Sequence, residues 1–152
     1  MRKIKRIVSL MLMVLMAFSV MPANAFNVSE DVKGTAYEES AQVLGALEIM
    51  VGDAGSGNFR PNDSITRAEF ARVAVSLMGL NDVAHASAGF SKYPDVSKDH
   101  WANGYINTAS SQKLVIGRDD GNFDPESKIT YQEAVTILVR ALGREPAANA
   151  KG

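Results

Sequence analysis

Ile65-Thr66-Arg67-Ala68-Glu69-Phe70 decides how this chain is built, because it returns in altered form as Ile129-Thr130-Tyr131-Gln132-Glu133-Ala134, 64 residues further on. Other landmarks travel with it: Gly52 with Gly117, Phe59 with Phe123, Pro61 with Pro125, and Gly79 with Gly143. The first glycine pair is 65 residues apart, so the first loop holds one extra residue. A period of this length means that one supersecondary unit occurs twice.

Each hexapeptide opens a helix. Thr66 with Glu69, and Thr130 with Glu133, have the spacing of a capping box, in which hydroxyl and carboxylate satisfy each other's backbone amides. Ile65 and Phe70 flank the first box as a hydrophobic staple. Phe70, Val73, Ala74, Leu77 and Met78 form the expected apolar stripe, matched by Ile137, Leu138, Ala141 and Leu142, and Gly79 closes the first of these helices. Upstream, Thr35 to Glu38 reads as a further capping box. Ala41, Leu44, Leu47 and Met50 follow at helical spacing, and Gly52 is the expected C′ residue. In the second copy Asp99 is the expected N-cap of a helix from about His100, with Ala102, Tyr105, Ile106, Ala109 and Leu114 facing inward. Each unit is thus helix, glycine-rich loop, helix. No stretch sustains strand alternation, so the expected fold class is all-α. Residues 26–80 form the first unit, 81–91 a small-residue linker, 92–145 the second unit, and 146–152 a tail.

Residues 1–25 stand apart. Arg2, Lys3, Lys5 and Arg6 precede an apolar run from Ile7 to Val20, and Ala23-Asn24-Ala25 has a small-x-small cleavage pattern. This reads as an export signal, since the run is short of the roughly 20 residues a spanning helix needs. Its removal takes away four basic residues and no acidic ones, so the charge moves from −1 to −5, with 12 basic against 17 acidic side chains. An acidic chain without a basic run is a poor nucleic-acid ligand. With no cysteine, it has neither disulfides nor a thiolate metal site.

Arg67 breaks a local rule. It sits at the first helical position, where the macrodipole disfavours a cation and acidic residues or proline are preferred. A guanidinium beside helix-start amides suits a carboxylate or phosphate; pairing with an acidic neighbour such as Asp63 is the structural alternative. Tyr131 replaces it in the second copy and can stack on a sugar face. Trp101, the one tryptophan, reads as inter-repeat packing or as a sugar platform; Ala36 holds its place in the first copy. With Gly117, Arg118 and Asp120 of the second loop, these residues make up the candidate ligand contacts. His100 reads as a solvated helix-start residue and His85 has no apparent partner, so no metal site is expected. The loop from Gly117 to Asp124 resembles a calcium loop only superficially: counting Asp119 as position 1, position 3 is Gly121 and position 12 is Thr130.

These motifs together resemble a pair of S-layer homology repeats. In the second copy they are Tyr93-Pro94-Asp95-Val96, His100-Trp101-Ala102, Leu114-Val115-Ile116-Gly117, Gly121-Asn122-Phe123-Asp124-Pro125 and the Thr130 hexapeptide. In the first they are Phe26-Asn27-Val28, Val51-Gly52, Gly57-Asn58-Phe59-Arg60-Pro61 and the full Ile-Thr-Arg-Ala-Glu-Phe. The resemblance implies an exported protein of the bacterial cell wall or S-layer, with repeats commonly packed in threes about a pseudo-threefold axis. It implies inter-repeat grooves that bind secondary cell-wall polysaccharide carrying pyruvate ketals, with Arg67 on the pyruvyl carboxylate. It implies no catalysis, no cofactor and, after signal cleavage, no membrane association. The departures are Tyr131 in place of arginine, Ala36-Tyr37 in place of Trp-Ala, and two repeats where three are usual. The tail looks like the run into a third repeat, and an apolar edge left open there would favour self-association. The competing reading is a calcium-dependent, dockerin-like protein-docking module, which predicts a calcium-dependent melting temperature. An enzyme is not expected, because no nucleophile–base pair occurs at recognisable spacing.

Overall fold

The computed structural model describes residues 28–143. The signal segment, Phe26-Asn27 and the tail lie outside them. Five helices are described: α1 (Glu38–Ala46), α2 (Arg67–Leu77), α3 (Asn81–Ala86), α4 (Asn103–Ser111) and α5 (Tyr131–Ala141). No strand occurs among the described residues; the one β-bridge joins Thr66 to Lys128. The chain is all-α, as its patterning indicates.

The two expected capping boxes at α2 and α5 form in full. In each, the threonine hydroxyl and the glutamate three residues on satisfy each other's backbone amides. The two upstream starts differ. Glu38 reaches back to the Gly34 amide at 2.7 Å instead of Thr35, and α1 begins at Glu38 itself. Asp99 does not cap α4, which starts at Asn103 after a turn in which His100 Nδ1 accepts from the Ala102 amide. Gly52 is not the C′ residue either. α1 ends six residues earlier, with Glu48 in the left-handed region at φ 57° and the Ile49 amide donating to the Leu44 carbonyl. Lys113 does the same after α4 at φ 59°. Gly52 is required for a different reason: a Cβ there would lie 2.2 Å from the Gly57 carbonyl oxygen.

α2 is the hub, packing on α3, α4 and α5, whereas α1 packs on none of the other described helices. Its inward face shares only Ala74 and the partly buried Phe70 with the expected stripe. Ala68, Ala71, Ala74 and Val75 are fully buried, while Leu77 and Met78 are exposed. Small residues let α4 approach closely with Ala102, Ile106 and Ala109, so the larger side chains are displaced outward. On α5 only Ile137 is buried, and Val135, Leu138 and Leu142 face solvent. The main core joins both copies of the repeat through Tyr93, Val96, Leu114 and Phe123, and a smaller cluster of Val28, Val32 and Ala41 holds α1 with Phe59.

Residues 81–91, expected as a linker, contain α3 and are held down. Asn107 Nδ2 donates to the carbonyls of Ser87 at 2.8 Å and Phe90 at 3.0 Å, and Asn103 Nδ2 donates to Phe90 at 2.9 Å. Gly104 of α4 passes so close to α3 that a Cβ would lie 2.0 Å from the Ala84 carbonyl oxygen. Gly→Ala in an open helix stabilises by about 1 kcal/mol. Here the obstruction is backbone, so Gly104→Ala should instead destabilise by about 2 kcal/mol, the range for overpacking. Urea unfolding checks this, and a raised midpoint would refute the close approach.

Candidate functional site

Two grooves, each of about 350 Å³, lie beside the two hexapeptides. The second-repeat groove is lined by Leu114 to Asp119, by Gln132, Glu133, Thr136, Ile137 and Arg140 of α5, and by Arg67. Arg67 therefore serves the groove of the other repeat. The segment before α2 pairs with the segment before α5: the Ile129 amide donates to the Ile65 carbonyl at 3.1 Å and the Arg67 amide to the Ser127 carbonyl at 2.9 Å. This docking pushes the Arg67 side chain into the second repeat, where it is 6% exposed.

Arg67 is held on every side. Its Nε donates to the Phe123 carbonyl at 2.8 Å and Nη2 to the Ile116 carbonyl at 3.3 Å. Nη1 bonds Glu133 Oε1 at 2.5 Å, and the guanidinium lies 4.8 Å from the centre of the Phe123 ring. Its ion-pair partner is thus Glu133 across the repeat boundary; Asp63 faces Arg60 instead. The amides at the start of α2 are also occupied, those of Arg67 and Ala68 by the Ser127 and Pro125 carbonyls. The anion site expected from helix-start amides therefore reduces to side chains. Burial depresses the basicity of Arg67, and the nearby Arg118 adds to this while Glu133 opposes it.

Arg118 completes the cluster, donating from Nη1 to Glu133 Oε1 at 2.7 Å and from Nε to Asp124 at 3.1 Å. One carboxylate oxygen thus sits between two guanidiniums, while Glu133 Oε2 accepts from the Thr130 amide at 2.9 Å. The first repeat repeats this plan with charges exchanged. Arg60 bonds Asp53 at 2.6 Å and Glu69 at 2.7 Å. Arg60 stands where Asp124 stands in the second copy, and Asp53 where Arg118 stands. Each capping glutamate therefore has a second duty that three-residue spacing does not show. Burial works against the charge of Glu133, but the Thr130 hydrogen bonds and the two arginines outweigh it and hold the carboxyl below its ordinary range. Glu69 is lowered in the same way, by Thr66 and Arg60 against burial. Because the folded values are depressed, this stability is present above the unfolded value of 4.5 and lost as pH falls through the folded values. The thermal midpoint should fall steadily from about pH 5 toward about pH 3. Thermal scans check it, and a flat profile over that range would refute it.

The six expected ligand contacts separate. Arg67, Gly117 and Arg118 meet in the second groove. A Cβ on Gly117 would lie 2.6 Å from the Tyr93 ring and 2.9 Å from the Asn122 carbonyl oxygen, so the loop needs glycine to fold over that ring. Asp120 instead shapes an exposed turn, accepting from the Asn122 amide at 2.9 Å. Tyr131 is 82% exposed and lines neither groove. Trp101 lines the first-repeat groove, with its ring stacked on His100. His100 also faces Glu126 at 3.1 Å, and His85 has Tyr105 as a neighbour at 3.4 Å. Sequence reasoning missed Gln132, Thr136 and Arg140 in the second groove, which recur every four residues along one face of α5 beside Glu133. It also missed Asp31 and Asp95, whose carboxylates accept the amides of residues 59 and 60, and of 123 and 124, and so set both loops.

The model of the S-layer homology domain matches residues 30–71 and 92–135, covering both hexapeptides and both glycine loops. The chain belongs to the S-layer homology family. It is 37% identical over 148 residues to the middle cell wall protein of Brevibacillus brevis, covering 93% of this chain and 14% of that protein. It is 41% identical over 111 residues to a surface layer protein of Brevibacillus choshinensis, covering 73% of this chain and 10% of that one. A cellulosome-anchoring protein of Acetivibrio thermocellus is 33% identical over 98 residues, 64% of this chain and 22% of its own length. The chain thus spans between a tenth and about a fifth of the length of these relatives. Family membership places it among exported proteins of the bacterial cell surface and wall.

Proposed function

We propose that this S-layer homology chain is a non-catalytic anchor that binds secondary cell-wall polysaccharide, with the second-repeat groove receiving the carboxylate of a pyruvate ketal. The observation that carries this reading is the pair Arg67 and Arg118 converging on one oxygen of Glu133. The groove lining holds three guanidiniums, of Arg67, Arg118 and Arg140, against two carboxylates, of Asp119 and Glu133. A second carboxylate entering there meets the partly solvated guanidinium of Arg118, a planar donor suited to carboxylate contact, beside the buried Arg67. The names of the relatives, cell-wall, surface-layer and anchoring proteins, agree with this reading. Catalysis is not proposed: Glu133 is held below the ordinary carboxyl range between two cations, unlike a general acid or base poised near neutral pH.

Co-sedimentation with purified wall sacculi tests the anchor. Binding should require the secondary polymer, weaken when its pyruvyl groups are removed, and fall as ionic strength rises. Equal binding to stripped sacculi would overturn it. Calcium should leave the melting temperature unchanged; a calcium-dependent rise would favour the docking-module alternative.

A further inference from the structure

We propose that His100 is a pH-responsive closure of the turn that carries Trp101: the neutral imidazole holds the start of α4 shut, and a proton on its Nδ1 opens it. This stands independently of what either groove binds.

The two copies close this turn with the same geometry and different chemistry. In the first, the Thr35 amide donates to the Val32 carbonyl at 3.1 Å, the Glu38 amide to the Thr35 carbonyl at 3.3 Å, and the Tyr37 amide to the Thr35 hydroxyl at 3.2 Å. In the second, 65 residues on, the His100 amide donates to the Ser97 carbonyl at 3.0 Å, the Asn103 amide to the His100 carbonyl at 2.9 Å, and the Ala102 amide to His100 Nδ1 at 3.1 Å. The turn needs only a side-chain acceptor two residues before the amide. A threonine hydroxyl remains an acceptor whatever the pH. An imidazole nitrogen does so only while neutral, and histidine changes its charge between about pH 5 and about pH 8.

With Nδ1 accepting from Ala102, the neutral ring carries its proton on Nε2, which donates to Glu126 Oε1 at 3.1 Å. Glu126, on the loop ahead of α5, is the charged group that faces the ring, and its side chain is 74% exposed, so its hold on an imidazolium is weak. Lys98 and Asp99 are exposed on the same turn, and Arg60, Asp63, Glu69 and Arg72 line the first-repeat groove with Trp101. A proton arriving at Nδ1 keeps the Glu126 contact but sets two N–H donors against each other at Ala102. Ala102 is fully buried, so its amide has no water to turn to while the turn stays closed. The turn gives way, and Trp101, whose ring stacks on His100 with 5.8 Å between centroids, moves with it. The first-repeat groove then loses the fixed position of one wall.

The experiment follows amide hydrogen exchange of the mature chain by NMR, corrected for the intrinsic rate, at about pH 7.5 and about pH 5.5. This window lies above the range in which Glu69 and Glu133 titrate. Protection of the Ala102 amide should fall about tenfold toward the lower pH, while that of Tyr37, closed by threonine, stays level. The near-UV circular dichroism of Trp101, the one tryptophan, should change with the same midpoint. His100→Thr copies the closure of the first repeat, so it should keep Ala102 protected and remove the transition. His85→Gln should leave the transition in place. Constant protection at Ala102, a transition that survives in His100→Thr, or one abolished by His85→Gln would each overturn the proposal. Should His100→Thr fail to fold, the unaltered chain decides the matter: an equal pH response at Ala102 and Tyr37 would overturn it, and a response at Ala102 alone would uphold it.

Discussion

Arg67→Ala should lower the stability of the chain by about 3 kcal/mol and abolish most of its binding to pyruvylated walls. Breaking a buried ion pair costs about 3–5 kcal/mol, because the partner charge is left uncompensated. The lower figure applies because Glu133 keeps Arg118 at 2.7 Å and its Thr130 hydrogen bonds. The carbonyls of Phe123 and Ile116 lose their donor as well. Thermal unfolding should register a drop on the order of 10 °C, and sedimentation well below that midpoint should show at least a tenfold loss of affinity. Arg118→Gln separates the two effects: Arg118 is partly solvated, so its removal should weaken binding with little change in midpoint. A stable Arg67→Ala protein that binds walls like the wild type would refute both roles of the residue.

Phe123→Ala should cost about 3–5 kcal/mol, the range for truncating a fully buried aromatic side chain. Its ring packs against Tyr93 at a centroid distance of 5.4 Å and underlies the Arg67 guanidinium. A cavity there removes a wall of the core and the support of the groove at once. Phe59, its counterpart, is only partly buried against the smaller cluster that holds α1. Phe59→Ala should therefore cost about half as much, since less apolar area is withdrawn from water. Denaturant midpoints for the two variants check this. Equal losses would mean that the repeats are energetically equivalent, contrary to the unequal burial of their phenylalanines.

The expected ends of helices succeeded where the devices are local and failed where other residues competed. The Thr66 and Thr130 boxes formed as their three-residue spacing predicts, whereas Glu38, at the same spacing from Thr35, bonds the Gly34 amide instead. The start of α4 was not, because His100 and the turn before Asn103 provide a different closure. Gly52 was correctly singled out but for the wrong constraint: close approach of the Gly57 carbonyl, not helix termination, makes a side chain impossible there. The inward face of α2 was misjudged because hydrophobicity favours burying Leu77 and Met78, while helix–helix distance favours the alanines.

By itself, the sequence determined the repeat, the all-α class, the two capping boxes and the charged residue out of place at position 67. All of these follow from patterns within a few residues or from comparison of one copy with the other. Only the tertiary structure decided which groove each residue serves. The pairing of residues 65–68 with 125–129 carries Arg67 into the second repeat, against Glu133 and Arg118. It also leaves Tyr131 in solvent, while Trp101 leans into the first-repeat groove. The contact between Arg67 and Glu133 spans 66 residues of chain. Its geometry is set by packing between the copies, which no local spacing encodes.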